Sequence, residues 1–427
     1  MARVRQYTSY KYDLSNVTLV DQLKSLKPID PNKHKEMCTV VGEDGEPWIE
    51  ALQFLIHNSE KKPATILSKA KDLAHYLSFL EEEGISWLHF PPRKAERCVY
   101  RYRTYLVDLS RVSTTRQTEQ RRMRTIVNFY QWASHEGFID KEIKKWTDQN
   151  VSVAFNNKVG FQRFMSVNTT DLRIRSEKRN VRTVEGGLVP LHPDDRDALI
   201  EYLKNSSSSV DQMLWHMHSL GFWSGARSGT IRTLGVTNLE LAKQAHPHDP
   251  SEPYLVYLLV GPGTGVQTKF DKTGYLRIPK AVFDQLYEYA YSAERKIREG
   301  KANEKGNDGN ILFLSKYGDP ISDGSFTSLM SELRKRLFKA GLTQFQDFTF
   351  HQTRATCGTE IASIILNTEG ATADDAVEEV RLWLMHNDKK TTYTYINFCK
   401  KTKWNKKYSG GFIKTFLGPT FASGAGL

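Results

Sequence analysis

The sequence predicts a mainly α-helical protein with one small antiparallel β-sheet. Through most of residues 46–145 and much of the second half of the chain, apolar residues recur every three or four positions, the period of a helix with one buried face. Residues 254–279 instead contain two apolar runs around a turn rich in Gly and Pro, as expected of a β-hairpin. A chain of 427 residues is long enough for two or three domains, each with its own core.

Composition limits the class of partner and the compartment. The net charge of +11 favours a polyanionic partner, although charge alone does not distinguish DNA from RNA or an anionic membrane. No apolar run reaches the length of a membrane span, and the N-terminus lacks the apolar core of a secretory signal. Cys38, Cys98, Cys357 and Cys399 are scattered, without the spacing of a zinc site or a disulfide framework. We therefore expect a soluble intracellular protein.

Residues 1–45 are polar and poorly periodic, and Pro28 and Pro31 interrupt them. We interpret this segment as an N-terminal extension of unknown role. An arm that contacts DNA or a neighbouring protomer and a flexible tail both fit the pattern.

Residues 46–150 have the pattern of a helical domain. Three apolar stripes at helical spacing predict three helices. Their members are Ile66, Ala70, Leu73, Leu77 and Leu80, then Val99, Tyr102, Leu106 and Leu109, then Met123, Ile126, Val127, Tyr130 and Ala133. Arg121, Arg122 and Arg124 lie beside the third stripe. This basic face suits a phosphate backbone, and the alternative is a face that is only solvated.

Residues 151–188 lose this periodicity and include the basic stretch DLRIRSEKRNVR before Gly186 and Gly187. We predict a basic interdomain linker, either in contact with phosphates or only a solvated tether. A second domain over residues 189–400 then contains the hairpin, a helix from Lys280 to Glu299 and another from Ser325 to Ala340. Its acidic residues Asp374, Asp375, Glu378 and Glu379 form no convincing metal-binding set, because the two glutamates lie on what is predicted to be an exposed helix face.

The segment from Phe348 to Phe398 gathers residues suited to phosphate chemistry. His351 and Arg354 are three positions apart in a predicted helix, so both side chains can lean over one face. A guanidinium can hold two non-bridging phosphate oxygens, and an imidazole can carry a proton near neutral pH. His386 and Tyr395 follow in the same block, and the tyrosine is a nucleophile candidate.

The order His351-x-x-Arg354, His386, Thr391-Thr392 and a tyrosine nine residues after His386 resembles the C-terminal signature of the tyrosine recombinases, the phage-integrase family of site-specific DNA recombinases. The nine-residue offset favours Tyr395 over Tyr393.

The family also has an upstream arginine near the start of a helix, and Gly225-Ala226-Arg227 is in register with that motif. Two positions depart from the family pattern. Thr230 replaces the acidic residue after the arginine, so the group that holds Arg227 is unassigned, and Met385 replaces the glycine before His386.

A family lysine belongs on a hairpin between the two arginines. Lys272-Thr273-Gly274 resembles the K-T-G of several integrases, so we assign Lys272, with Lys269 as the close competitor.

The resemblance implies a helical core-binding domain over residues 46–150, followed by a tyrosine-recombinase catalytic domain over 189–400. It implies an integrase or transposase of a mobile element or phage, acting on double-stranded DNA at specific sites. The synaptic complex would be a homotetramer, with accessory DNA-bending proteins in some cases, in the cytoplasm of a bacterial host. The tail of residues 401–427 would contact a neighbouring protomer, or else is a disordered end.

The resemblance also implies the roles of six residues. Tyr395 would form a 3′-phosphotyrosyl intermediate, with no metal, ATP or other cofactor. Arg227, Arg354 and His386 would stabilise the transition state, Lys272 would protonate the leaving oxygen, and His351 would assist proton transfer. Three alternatives stay open: a type IB topoisomerase, a hairpin telomere resolvase, and a catalytically idle DNA-binding protein on the same scaffold.

Overall fold

The computed structural model describes residues 1–7, 37–109, 116–156, 162–174, 183–245 and 254–400. The chain divides into two compact units, residues 1–179 and 180–427. The boundary between the units falls within the segment that the sequence predicts as a linker. The basic residues 175–182 and the tail 401–427 lie outside the described residues, as does most of the N-terminal extension.

The first unit combines helices with two strand pairs. In chain order its elements are β1 (Arg3–Tyr7), β2 (Met37–Val41), α1 (Ile49–His57), α2 (Pro63–Glu83), α3 (Cys98–Leu109), α4 (Arg116–His135), β3 (Asp148–Asn156) and β4 (Gln162–Thr170). The three predicted helices are confirmed as α2, α3 and α4. Pro63 occupies the first turn of α2, where its missing N–H costs nothing, and Gly84 ends the helix in the left-handed conformation.

Aromatic side chains fill the core of the first unit. Trp48, Tyr76, Phe129 and Tyr130 are all buried, and Phe129 meets Trp48 edge to face. The buried Tyr76 and Tyr130 hydroxyls satisfy each other at 2.7 Å, so this core has no polar penalty at that point.

The three arginines predicted beside the apolar stripe of α4 differ in their contacts. Arg121 reaches Ser68 and Asp72 of α2, and the Arg122 guanidinium contacts the His75 ring. These two arginines therefore connect α4 to α2 within the unit. Arg124 is exposed.

Two strand pairs correct the expectation of irregular backbone. The pair β1 and β2 is antiparallel, with Val4 opposite Val40, and the buried Val40 belongs to the core of the unit. A five-residue strand whose partner lies some thirty residues away leaves little local signal. The pair β3 and β4 forms a second antiparallel ladder, with Val151 opposite Val167, in and just before the predicted linker. The alternation in DQNVSVAFN has the two-residue period of a strand, which a search for helical spacing misses.

The second unit is built around a buried helix. Its elements are α5 (Pro193–Asn205), α6 (Ser209–Ser224), α7 (Ser228–Arg232), α8 (Val236–Ala245), β5 (Leu255–Val260), β6 (Gly274–Pro279), α9 (Lys280–Ala290), α10 (Ala293–Glu304), α11 (Asp323–Lys339), α12 (His351–Asn367), α13 (Ala373–Trp383) and α14 (residues 389–400). Helix α6 is buried on nearly all sides and packs against α5, α9 and α12. A helix that is apolar all round belongs in a core.

The hairpin predicted over residues 254–279 is confirmed as β5 and β6, which pair antiparallel from Leu255 with Pro279 to Val260 with Gly274. The single helix predicted from Lys280 to Glu299 is wrong, because the structure has two helices there. The Ser292 hydroxyl accepts a hydrogen bond from the Arg295 amide and caps a new helix, α10.

A close approach between α6 and α12 fixes the geometry of the second unit. A Cβ atom added to Gly221 of α6 would lie 2.3 Å from the Thr353 hydroxyl oxygen of α12 and 2.9 Å from its Cβ. Only glycine allows this separation. The contact matters because Arg227 follows α6 and Arg354 lies in α12.

We expect Gly221→Ala to lower the free energy of unfolding by about 1–3 kcal/mol, because the added methyl overpacks the contact between α6 and α12. Urea unfolding followed by circular dichroism measures the change. Gly300→Ala is the matched control, since Gly300 lies in α10 with nothing within 4 Å of the new methyl. There the higher helix propensity of alanine should stabilise the protein by about 0.5–1 kcal/mol. Equal effects of the two substitutions would contradict the role given to Gly221.

Candidate active site

Residues from four separate parts of the second unit meet at the carboxylate of Glu185. Arg227 Nη2 donates to Glu185 Oε1 at 3.3 Å. Arg354 Nε and Tyr395 Oη donate to Oε2 at 3.1 and 3.2 Å, and His386 Nε2 lies 3.1 Å from the same oxygen. Four of the six predicted site residues therefore surround a residue that the sequence analysis did not select.

Glu185 lies in a short 3₁₀ turn, Glu185–Gly187, inside the predicted linker. The contacts of its carboxylate join it to residues 42 to 210 positions away in sequence. No local pattern marks it, because its neighbours have no helical or strand period. Thr230 carries no carboxylate, and Arg227 pairs with Glu185.

The charge on Glu185 is strongly favoured. Burial alone would raise the pKa of its carboxyl group, but the hydrogen bond from His386 and the positive charges of Arg354 and Arg227 together hold that pKa far below its ordinary value. The site is therefore built to hold an anion at this point.

Arg354 is the most firmly held of these side chains. Its guanidinium is almost fully buried. Nη1 donates to the Gly225 carbonyl and Nη2 to the Leu384 carbonyl, each at 2.6 Å, while Nε donates to Glu185. One cation thus joins the end of α6, the end of α13 and the Glu185 turn. The planar guanidinium makes these contacts because its donors point in fixed, separate directions, an arrangement that the ammonium group of a lysine lacks.

His386 follows α13 and is fixed on both sides of its ring. Nδ1 lies 3.0 Å from the Thr392 hydroxyl and Nε2 faces the Glu185 carboxylate. The carboxylate can only accept, so Nε2 carries the proton and, in the neutral ring, Nδ1 accepts from Thr392. Burial lowers the pKa of His386, and the hydrogen bond to Glu185 opposes that change.

Tyr395 and Tyr393 have opposite environments. Tyr395 is fully buried, and its ring lies 5.8 Å from that of His386, whereas Tyr393 is 44% exposed. Burial raises the pKa of the Tyr395 hydroxyl well above its ordinary value. Of the two tyrosines, Tyr395 is the one that the structure brings to the other predicted site residues.

Lys272 and Lys269 also differ. Lys272, which precedes β6, is half-buried and donates from Nζ to the His386 carbonyl at 3.0 Å. Partial burial and the charges of Arg381 and Arg227 lower its pKa. Lys269 is exposed, and its ammonium lies 5.2 Å from the ring centre of Phe270. The contacts therefore favour Lys272 as the site lysine.

The Lys272 hairpin also touches the loop of His386 through Met385. Met385 has a φ of 50°, in the left-handed region that suits the glycine of the family pattern. A Cβ added to Gly274 would lie 2.8 Å from the end of the Met385 side chain, so the methionine packs directly on the hairpin.

His351 begins α12 and is half-buried, and its ring has no hydrogen bond to another described residue. Burial lowers its pKa, with the charge of Glu185 acting in the opposite direction and those of Arg354 and Arg227 adding to the effect. It lies within the electrostatic reach of the cluster without joining the contacts around Glu185.

Beside the cluster is a cleft lined by Arg227, Lys269, Lys272, Arg354 and Met385, with a volume of about 20 Å³. That volume holds about one water molecule. Within the described parts of the chain, no three His, Cys, Asp or Glu residues are grouped so that they could hold a metal ion. Among the helices that the structure describes, none has the length and apolarity to cross a membrane.

We expect Thr392→Val to lower the free energy of unfolding by about 1–3 kcal/mol, because the isosteric change leaves His386 Nδ1 buried without its partner. Thr392→Ser retains the hydroxyl and should recover part of the loss. Thr391→Val is the matched control, since no hydrogen bond joins the Thr391 side chain to a described residue, and its effect should stay within about 0.5 kcal/mol. Urea denaturation checks all three, and equal losses at the two positions would contradict the assigned bond.

None of the protein-family models matches this chain, and a comparison with curated proteins finds no match. This chain is similar to two solved structures of the Tn1549 transposon integrase, each in complex with a circular intermediate DNA. The TM-score is 0.50 for both. Identity is 14% and 13%, over 81% and 84% of this chain and 93% and 98% of those chains. At such identities the likeness concerns the fold: the chain has the mainly helical fold of a tyrosine recombinase, as its motifs predict.

Proposed function

We propose that this protein is a site-specific DNA recombinase that cuts and rejoins DNA through a tyrosine nucleophile. The observation that carries the proposal is the convergence of Arg227, Arg354, His386 and Tyr395 on one anionic centre. Two guanidinium groups, an imidazole and a phenol around a single negative group are what phosphoryl transfer to a tyrosine needs.

The first step is attack of Tyr395 Oη on a scissile phosphate. The new bond joins Oη to phosphorus, and the bond from phosphorus to the 5′-oxygen breaks. The phenol proton leaves with the assistance of His351, and Lys272 gives its proton to the 5′-oxygen. Arg227 and Arg354 neutralise the charge on the five-coordinate phosphorus, and His386 donates a further hydrogen bond.

The product is a 3′-phosphotyrosyl link and a free 5′-hydroxyl. A phosphotyrosine diester keeps the free energy of the broken phosphodiester, so a DNA hydroxyl can reverse the step without ATP. When that hydroxyl comes from a partner duplex, the strands are exchanged. One exchange per strand at two sites requires four protomers, which is why we propose a tetramer.

The proposed partner is double-stranded DNA. The net charge of +11 supports a polyanion, and the two similar integrase structures hold circular intermediate DNA. We propose that residues 46–150 act as a core-binding domain and residues 189–400 as the catalytic domain of an integrase or transposase from a mobile element or phage. Accessory DNA-bending proteins belong to the same proposal.

The second candidate is a catalytically idle DNA-binding protein, and one observation favours it. The Glu185 carboxylate occupies the place where a phosphate would have to bind. A scaffold that had lost its activity could keep such an internal ion pair permanently. Formation of a covalent adduct with DNA separates the two candidates.

We expect the wild-type protein to form a covalent adduct with DNA and Tyr395→Phe to form none, because the substitution removes only the attacking hydroxyl. The substrate is a pool of nicked duplexes with a randomised centre, in which the cleaved end diffuses away and traps the adduct. Denaturing gel electrophoresis with labelled DNA measures it. Tyr393→Phe is the matched variant. If only Tyr393→Phe fails to form the adduct, the nucleophile is Tyr393 instead of Tyr395. If the wild type binds DNA but forms no adduct, the protein is the catalytically idle DNA-binding protein.

We expect Lys272→Ala to slow adduct formation by about 10²–10⁴-fold, because the leaving 5′-oxygen loses its proton donor. A duplex with sulfur in place of the bridging 5′-oxygen should restore the rate, since a thiolate leaves without protonation. Single-turnover rates on the two substrates measure the effect. Lys269→Ala discriminates between the two lysines. If the sulfur-containing duplex restores the rate of Lys269→Ala but not that of Lys272→Ala, Lys269 is the proton donor and the assignment of Lys272 is wrong.

A further inference from the structure

The contacts of Glu185 match those expected of a bound phosphate. Its two carboxylate oxygens accept from Arg227 and Arg354 and face His386 Nε2, the groups that the proposed function assigns to the phosphate. Carboxylate and phosphate present similar oxygens to a guanidinium fork. The Tyr395 hydroxyl, which the proposed function directs at phosphorus, donates to the same carboxylate.

A phosphate cannot reach the nucleophile while Glu185 is in this position. Tyr395 is fully buried, and its hydroxyl is bonded to Glu185. The carboxylate must therefore leave before a phosphodiester can enter.

We propose that Glu185 is a displaceable internal substitute for the scissile phosphate, which keeps the nucleophile covered until DNA enters the site. The inference rests on the proposed function, because that function supplies the phosphate that Glu185 replaces. The inference adds a regulatory contact to the proposed function, because DNA binding and the uncovering of Tyr395 become one event.

A permanent support for Arg227 would explain fewer of the contacts. Such a support needs to reach Arg227, whereas Glu185 also engages His386 and Tyr395, which lie in other elements. Arg227 itself is incompletely bound: its Nε is buried and has no hydrogen-bond partner among the described residues. A phosphate has more acceptor oxygens than a carboxylate and can take up that unsatisfied donor.

The backbone around Glu185 allows the carboxylate to leave without disturbing the core. Val184 is buried against the cluster that contains Tyr395, and Leu188 packs on the same cluster, so both ends of the turn are anchored. Between them Gly186 and Gly187 have φ values of 70° and 78°, a region open to glycine at little cost.

The first test measures phosphate binding without any need for catalysis. In the full-length protein, Glu185→Gln leaves two arginines without their counter-charge, so its Tm should fall, and inorganic phosphate should restore it by mass action. The apparent Kd for phosphate, from the Tm shift, should be at least about tenfold lower than in the wild type, which must first expel its own carboxylate. Glu360→Gln is the matched control, since Glu360 of α12 is half-buried like Glu185 and pairs with a different arginine, Arg196 of α5. Equal phosphate affinity in wild type and Glu185→Gln would overturn the proposal.

The second test measures the reaction. On the nicked duplex pool, Glu185→Gln should form the Tyr395 adduct about tenfold faster than the wild type, whereas loss of adduct would show that Glu185 supports the catalytic groups and would overturn the proposal. Glu185→Asp keeps the negative charge on a shorter side chain, so its rate of adduct formation should lie between those of the wild type and Glu185→Gln. This variant tests the proposal even if Glu185→Gln does not fold.

The two tests fail separately. If neither the wild type nor Glu185→Gln forms an adduct, but Glu185→Gln binds phosphate more tightly than the wild type, the recombinase function is wrong while the exchange of carboxylate for phosphate stands. If adducts form in the wild type and phosphate affinity is unchanged in the variant, the recombinase function stands and the internal substitute is wrong.

Discussion

The geometry of the second unit depends on the hydrogen bonds made by the buried guanidinium of Arg354. It closes the end of α6 through Gly225 and the end of α13 through Leu384, and it holds the turn that carries Glu185. A buried charge is tolerated only when nearly all its donors are satisfied, and removal of a partner leaves the remainder uncompensated. Arg354 meets that condition with two carbonyls and one carboxylate. The same cation therefore serves folding in the free protein and, in the proposed reaction, charge neutralisation at phosphorus.

The parts of the fold that could be predicted were those with a local period. Helices α2, α3 and α4 repeat apolar residues at helical spacing, and the hairpin of β5 and β6 has two apolar runs around a turn of glycines and proline. The break between α9 and α10 was missed because the apolar pattern continues through it, whereas the structure uses Ser292 to cap a new helix. The pair β1 with β2 leaves little local signal because its short strands lie some thirty residues apart, and β3 has the two-residue period of a strand, which helical spacing does not reveal.

Four members of the candidate site could be predicted from the sequence, whereas the carboxylate at its centre could not. Arg227, Arg354, His386 and Tyr395 are spaced as in the family signature, so sequence alone could name them, and the structure brings them together. Glu185 has no such position in the signature. It reaches the site only because folding places a turn from before α5 against residues up to 210 positions later. Burial distinguishes Tyr395 from Tyr393, and contact with the His386 carbonyl distinguishes Lys272 from Lys269; neither property is visible in a sequence.

The packing of Met385 on Gly274 has a mechanical consequence. A residue other than glycine in the left-handed region costs about 1–2 kcal/mol, and here that cost accompanies a side chain that presses the hairpin against the loop of His386. Lys272 adds a second attachment through the His386 carbonyl. The hairpin is therefore not a free arm that approaches the leaving oxygen by itself. The proposed proton donor to the leaving oxygen is therefore attached to the loop that carries His386, one of the groups proposed to bind the phosphate.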